Sequence, residues 1–314
     1  MNVDLKLSRR RMLQGALAGA TTIMARNALA DDAKPGDLAI DAHVHVWTPD
    51  VKRYPLADGY TVADMQPPSF TPDELLAEAR PCGVGRVVLI QMSFYGFDNR
   101  YMLDAIRNYP GVFSGVAVID ENAADVVDTM RVLKGQGVRG FRLYGWKAPY
   151  ETWLASDGMA RMWKAGAELG MAMCGLVNPE ALEPMDKMCE QYPDTPVVVD
   201  HFGRVGVDGT IRPRDLDNLC RLARHKNTHV KVSAFYALGK KAAPYTDLGP
   251  MIHRLMDAYG PERLMWATDC PYQVQNGHTY RDSIELIRSR LDFLSPSDRK
   301  WILGKTAEKV FFQA

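Results

Sequence analysis

Short β-branched segments alternate with helix-forming segments along almost the entire chain, and this alternation limits the possible folds more than any other feature. Segments such as 197–199, three consecutive valines, are apolar on both faces, which is typical of parallel strands covered by helices. Eight strands are predicted, over residues 38–44, 86–91, 113–119, 138–143, 171–177, 196–200, 229–233 and 264–267. Eight β-α units in roughly 280 residues match the size of a closed barrel. The sequence therefore predicts an α/β fold, a single (β/α)8 TIM barrel.

An open, doubly wound sheet is the alternative arrangement of the same alternating elements. Nucleotide-binding sheets of that kind carry a G-x-G-x-x-G turn after a strand, and no predicted strand of this chain is followed by one. The barrel is therefore the favoured prediction.

Capping residues mark the predicted helix ends. Thr71 precedes Pro72 and Glu74, which is the pattern of a capping box with proline in the first turn. Asp98, Ser156 and Asp215 are predicted to open later helices, and Gly170 and Gly260 to close two of them.

The first 30 residues have the pattern of a twin-arginine signal peptide. Arg9 and Arg10 precede an apolar stretch over 12–25, and Ala28-Leu29-Ala30 supplies the small residues of a cleavage site. The stretch is shorter than the about 20 residues that cross a bilayer. We expect residues 1–30 to be removed during export by the twin-arginine machinery, which leaves a barrel domain over 37–314 in the periplasm or medium.

Charge and cysteine content exclude several classes of partner. Removing residues 1–30 leaves 33 basic and 37 acidic residues, so no electrostatic attraction to nucleic acid or to an anionic membrane is expected. No later apolar stretch predicts a membrane anchor, and no pattern predicts the oligomeric state. The five cysteines form no C-x-x-C, and their odd number leaves at least one free thiol in an oxidising compartment.

Histidines and a carboxylate follow three of the predicted strands. His43 and His45 are spaced i, i+2 at the end of the first strand, so both imidazoles point to one face. His201 follows the sixth strand and Asp269 the eighth. Each of the latter two alone could be a helix cap, but together the four residues would meet at the catalytic rim of a barrel. Such a set could bind one divalent ion, zinc or manganese, and activate water.

Four segments resemble the amidohydrolase superfamily, in its amidohydrolase-related (amidohydrolase 2) branch. They are DAHVHVW at 41–47, VDHFG at 199–203, VKVS at 230–233 and WATDCP at 266–271. Within that branch the chain is most similar to the group of 2-pyrone-4,6-dicarboxylate lactonase, fuconolactonase and 4-sulfomuconolactone hydrolase. The resemblance implies a hydrolase that opens a small, anionic lactone, with Asp269 and His201 as catalytic residues and His43, His45, His201 and Asp269 as candidate metal ligands.

One difference from other members of the branch leaves it undecided whether the site binds a metal ion. Metal-dependent decarboxylases of the branch carry a histidine before a proline at the end of the fifth strand, where this chain has Asn178 and Pro179. Asparagine is a poor ligand for zinc, and some lactonases of the similar group work without a metal. A metal-bound and a metal-free site are both retained as expectations. Substrate contacts are predicted from Arg142, Tyr144, Asn178 and Trp47. Arg142 could equally form a salt bridge across the rim, and loop packing is the alternative for Tyr144 and Trp47.

Two other functions remain as alternatives. A metal-dependent decarboxylase of the same fold would need a further good ligand. A barrel that only binds a small ligand, without catalysis, would have little reason to keep hydrolytic residues at its rim.

Overall fold

The computed structural model describes residues 38–144 and 149–313. Within them, eight strands have the bounds β1 Ala39–Val44, β2 Val84–Ile90, β3 Phe113–Ala117, β4 Val138–Tyr144, β5 Ala172–Leu176, β6 Val197–Val199, β7 Thr228–Val232 and β8 Leu264–Trp266. Each coincides with a predicted strand to within two residues at either end. The predicted signal peptide, residues 1–30, lies outside the described residues, as do positions 37 and 314 of the predicted domain.

All eight strands form one sheet in chain order, and every neighbouring pair is parallel. The last strand meets the first just beyond their ends, where Val44 and Cys270 form a parallel bridge. There the amide of Asp269 donates to the carbonyl of His43 at 2.9 Å, and the amide of His45 donates to the carbonyl of Cys270 at 2.8 Å. The sheet therefore curves into a nearly closed barrel, which confirms the predicted (β/α)8 architecture over the doubly wound alternative.

Helices cover the outside of the barrel. They are α1 Pro72–Ala79, α2 Arg100–Asn108, α3 Val126–Gly135, α4 Tyr150–Leu154, α5 Asp157–Leu169, α6 Leu182–Gln191, α7 Pro213–Arg221, α8 Gly249–Tyr259, α9 Tyr280–Glu285, α10 Pro296–Lys300 and α11 Thr306–Phe311. The predicted caps Thr71 and Ser156 accept hydrogen bonds from the first turns of α1 and α5, and Gly170 and Gly260 follow α5 and α8.

Two predicted helix starts were wrong by a few residues. Asn99, not Asp98, is the residue before α2, although the Asp98 carboxylate accepts from the amide of Arg100. Asp215 lies inside the first turn of α7, which starts earlier because Pro213 is well suited to the first helical position.

The interior of the barrel is filled by side chains. A compact apolar cluster combines inward-facing residues of the strands with Phe311 of α11, and all of these side chains are buried. Its members from the strands include Ile40, Ala42, Val88 and Val198. Because Phe311 lies in contact with this cluster, the last helix packs against the end of the barrel opposite to the strand C-termini.

No helix in the described part of the chain is both long and apolar enough to cross a membrane. The five cysteines, all within that part, have free thiols, and four of them are buried.

Candidate active site

The four predicted site residues meet at the C-terminal ends of the strands. The carboxylate oxygen Oδ1 of Asp269 lies 3.5 Å from Nε2 of His43, 3.3 Å from Nε2 of His45 and 3.7 Å from Nε2 of His201. All four side chains are at least nine-tenths buried. One carboxylate oxygen thus faces three imidazoles, as the strand positions predicted.

Two of these residues have a left-handed backbone conformation. His201 has φ +51° and is followed by Phe202, Gly203 and Arg204 at similar positive values, while Asp269 has φ +70°. For residues other than glycine, this conformation costs on the order of 1–2 kcal/mol each. Such strain is typical of functional sites, where the fold holds a side chain in one direction.

Asp41 joins the first and last strands beneath the site. Its carboxylate accepts from the backbone amides of His43 and Thr268, at 3.2 and 2.9 Å, and from the hydroxyls of Thr268 and Tyr280. Burial raises the pKa of Asp41 to about 6, although these hydrogen bonds favour the carboxylate. Asp41 therefore positions the histidine motif and does not reach the cavity, being fully buried.

Tyr236, which the sequence did not single out, fixes the second oxygen of Asp269. Its hydroxyl donates to Oδ2 at 2.6 Å, so Oδ1 alone faces the imidazoles. Burial acts to raise the pKa of Asp269, but its interactions with His201, His45 and His43 outweigh it and lower the pKa below its ordinary value of 3.8. Burial also lowers the pKa of His201 and of His43 below 6.5. Near neutral pH the Asp269 carboxylate is therefore ionised.

A buried ion pair lies directly beneath the histidines. The ammonium of Lys231, on β7, lies 2.9 Å from Oδ1 of Asp200, which follows β6. Burial would raise the pKa of Asp200, but the charge of Lys231 and the interaction with His43 hold it well below 3.8. The sequence placed both residues in family segments and assigned them no role.

The other two imidazoles have different partners behind them. Nδ1 of His45 lies 2.9 Å from the carbonyl oxygen of Ile90. Nδ1 of His201 lies 2.8 Å from Oγ of Ser233. Partners of this kind orient a ring and set which nitrogen carries its proton.

A cavity of about 530 Å³ opens onto this group. His45, His201 and Asp269 form its floor, and the predicted substrate contacts Arg142 and Tyr144 lie in its wall. The remaining polar lining includes Arg204, Tyr236 and Tyr272, and apolar lining comes from Met92, Leu176, Val207 and Leu238. The volume suits a small organic molecule. The two arginines give it an affinity for anions.

Arg142 is nine-tenths buried and stacks its guanidinium 5.3 Å from the ring centroid of Tyr144. Among the described residues, neither Nε of Arg142 nor the hydroxyl of Tyr144 has a hydrogen-bond partner. Buried polar atoms without partners are costly, so both are poised for a ligand in the cavity.

Two predicted substrate contacts are placed elsewhere. Trp47 is fully buried and packs edge-on against Phe94 and close to Tyr272, while its indole donates to the carbonyl of Pro67. It supports the cavity wall from behind and is not among the residues that line the cavity. Asn178 is not among the residues that line the cavity; its amide donates to the hydroxyl of Tyr150 at 3.2 Å.

The donor set suits a divalent ion in chemistry and spacing. His43, His45 and Asp269 offer ligand atoms that all lie within 4.8 Å of one another. Ligand atoms around a tetrahedral zinc ion lie roughly 3.4 Å apart, close to the distances from Asp269 to the imidazoles. Nε2 of His201, the fourth predicted ligand, lies 3.7 Å from Oδ1 of Asp269 and is not part of this group of three.

Comparison with known sequences identifies a family and several relatives of this chain. The sequence model of the family described as "Amidohydrolase" matches residues 40–313. A 4-sulfomuconolactone hydrolase from Rhizobium radiobacter is 28% identical over 236 residues, which cover 74% of this chain and 76% of that protein. A 2-pyrone-4,6-dicarboxylate hydrolase from Comamonas testosteroni is also 28% identical, over 78% of this chain and 81% of its own length.

Solved structures of low sequence identity share the fold. A probable 2-pyrone-4,6-dicarboxylic acid hydrolase from Acinetobacter baumannii, with citric acid bound, superposes with a TM-score of 0.73 at 23% identity, covering 88% of this chain and 99% of that one. An amidohydrolase from Burkholderia multivorans with bound zinc gives a TM-score of 0.72 at 21% identity, with coverage of 88% and 100%.

Proposed function

The chain belongs to the amidohydrolase family, and from this premise we propose that it hydrolyses the ring ester of a small, carboxylated lactone. The observation that carries the proposal is the single free oxygen of Asp269, which faces three imidazoles on the floor of a cavity with arginines in its wall. The sulfomuconolactone hydrolase and the pyrone dicarboxylate hydrolase align with this chain over three quarters or more of their own lengths. This similarity supports the same reaction class for the chain.

Asp269 is the proposed general base. Tyr236 occupies its Oδ2, so Oδ1 is the oxygen available to a water molecule in the cavity. Oδ1 takes a proton from water as the water oxygen attacks the lactone carbonyl, and the ring C–O bond then breaks. The same proton returns from Asp269 to the departing oxygen, so the product is a hydroxy acid and the enzyme ends in its starting state.

Nε2 of His43, which has no hydrogen-bond partner among the described residues, stabilises the negative charge that develops on the carbonyl oxygen. His43, His45 and Asp269 would hold a divalent ion where one is bound, and such an ion would polarise the carbonyl and lower the pKa of water. The proposed proton transfers involve only water, the substrate and the side chain of Asp269.

Arg142 is the proposed contact for the substrate carboxylate. A guanidinium binds a carboxylate with two parallel, charge-assisted hydrogen bonds, and its Nε has no partner among the described residues. The apolar lining, with Met92 and Leu176, would pack against the ring of the lactone. Muconolactones and pyrone carboxylates have this combination of a small ring and an acidic group.

A panel of substrates tests the proposed reaction. We expect the purified protein to hydrolyse carboxylated lactones at least tenfold faster, in kcat/KM, than neutral lactones of equal ring size, because one charged contact is worth roughly 1.5–3 kcal/mol. Proton release followed with a pH indicator measures the rate. Release of CO2 from aromatic acids in place of lactone opening would favour the decarboxylase alternative, and binding without turnover across the panel would favour a ligand-binding barrel.

The pH dependence of the reaction follows from the pKa shifts. Because the pKa of Asp269 is lowered below its ordinary value of 3.8, the proposed base stays ionised as pH falls from 8 to 5. We expect kcat/KM to change by less than about twofold over this range. A free histidine base would lose most of its activity below pH 6.5. A tenfold fall in kcat/KM between pH 7 and pH 5 would contradict the carboxylate as base.

A further inference from the structure

Lys231 and Asp200 are the most buried charged pair near the site. Both side chains have 0% exposure, and the ring of Phe311 lies 5.4 Å from the lysine ammonium. Removing two ions from water costs several kcal/mol each, and apolar residues of the same size often serve stability equally well. A role in the reaction would explain why a lysine is kept at the centre of the barrel.

The lysine also reaches His43. Its Nζ lies 3.2 Å from Nδ1 of His43, in hydrogen-bonding geometry. An ammonium has three donors and no acceptor, so Nδ1 must accept this bond with its lone pair. Oδ1 of Asp200 lies farther from the same nitrogen, at 3.4 Å, and is paired with Lys231. A neutral ring that accepts at Nδ1 carries its proton on Nε2.

His45 and His201 carry their proton on the other ring nitrogen, Nδ1. Nδ1 of His45 faces the carbonyl of Ile90, which can only accept, so that nitrogen carries the proton. Nδ1 of His201 faces Oγ of Ser233, whose hydroxyl donates to the carbonyl of Lys231 at 3.3 Å, and so it also carries the proton. Both of these rings present a lone pair to the cavity, whereas His43 presents an N–H.

We propose that Lys231 is a positioning residue that fixes His43 with its proton on Nε2, as the hydrogen-bond donor to the substrate carbonyl, and that this proton position disfavours His43 as a metal ligand. Nε2 of His43 has no hydrogen-bond partner among the described residues, and its nearest acceptor is Oδ1 of Asp269 at 3.5 Å. A protonated nitrogen has no lone pair for a metal, so Lys231 weakens the three-residue group that could hold one. The donor role rests on the proposed lactone hydrolysis; the proton position and its effect on metal binding do not.

The test exchanges the ion pair for a neutral pair. Lys231→Met/Asp200→Asn keeps the side-chain sizes, removes the donor to Nδ1 and offers an amide oxygen that can accept a proton from Nδ1. The single variant Lys231→Met would leave Asp200 buried without its partner and is avoided for that reason. Lys226→Met, at an exposed lysine in the turn before β7, is the matched control.

Two readouts need no substrate. In ¹⁵N-histidine NMR of the full chain, with His43→Gln used to assign the signals, we expect a protonated Nε2 in the wild type and a protonated Nδ1 in the double variant. Zinc affinity is measured by competition with a zinc-binding dye. We expect the double variant to bind zinc roughly tenfold or more tightly than the wild type, because residues that hydrogen-bond to metal ligands usually change metal affinity by this factor. Lys226→Met should match the wild type in both.

The kinetic readout separates positioning from simple damage. With a carboxylated lactone we expect kcat of the double variant to fall at least tenfold while KM changes by less than threefold, because the donor acts on the developing charge. Protonation of Nδ1 of His43 in the wild type, or unchanged zinc affinity in the folded double variant, would overturn the proposal. If the double variant does not fold, the wild-type spectrum alone decides. Absence of lactone turnover with the expected spectrum would contradict only the proposed function.

Discussion

Asp269→Asn is expected to lower kcat for lactone hydrolysis about 1,000-fold, in the middle of the range for loss of a general base. The amide keeps the shape of the carboxylate and can still accept from Tyr236, so the fold and the substrate position should survive. It cannot take a proton from water. We therefore expect KM to change by less than about threefold while kcat falls by the factor given above.

Steady-state rates with one carboxylated lactone at pH 7.5 measure this effect. Asp257→Asn is a suitable control, because this carboxylate lies on α8 with 67% of its side chain exposed and pairs with His253, outside the cavity. Circular dichroism should show both variants folded. Hydrolysis by Asp269→Asn within tenfold of the wild-type rate would mean that another group is the base.

Arg142→Met is expected to lower kcat/KM about 100-fold for carboxylated lactones, with the loss mainly in KM. That factor corresponds to about 2.7 kcal/mol, the strength of hydrogen bonds between a guanidinium and a carboxylate. Methionine preserves the apolar part of the side chain against Tyr144. For a neutral lactone of the same ring size we expect less than a twofold change, since no carboxylate is present to lose its partner.

Arg139→Met provides the matched control for this substitution. Arg139 lies on the same strand, but its guanidinium donates to the carbonyls of Lys134 and Val138 and does not line the cavity. We would measure kcat/KM of Arg142→Met and of Arg139→Met with both the carboxylated and the neutral lactone. An equal loss on the charged and the neutral lactone would place Arg142 in the support of the cavity wall and not in contact with substrate.

The fold could be predicted because its signals are local and repeated. A buried parallel strand such as β6, with three valines between Pro196 and Asp200, differs clearly from its flanking helices in composition. Strand ends then placed His201 and Asp269 at one rim without any tertiary information. Helix starts near Asp98 and Asp215 were less certain, because several residues close to each start can cap or begin a helix.

The site was harder to predict where function depends on contacts between distant segments. Tyr236 lies in the loop after β7, where no periodic pattern indicates direction, and only the folded chain brings it to Asp269. The environment of Trp47 could not be predicted, because an aromatic residue beside a histidine motif can equally pack or bind. The position of Lys231 could have been predicted from the sequence. His229, Lys231 and Ser233 alternate with apolar residues around β7, and this i, i+2 spacing places their side chains on one face of the strand.

The left-handed backbone at His201 and Asp269 sets a limit on how this enzyme can be improved. Glycine or asparagine relieves such a conformation, so a search that selects only for heat resistance would favour those residues at both positions. Each such exchange would remove an imidazole or carboxylate from the site. Thermal stability and turnover therefore have different optimal sequences in this protein, and directed evolution would need to select for both.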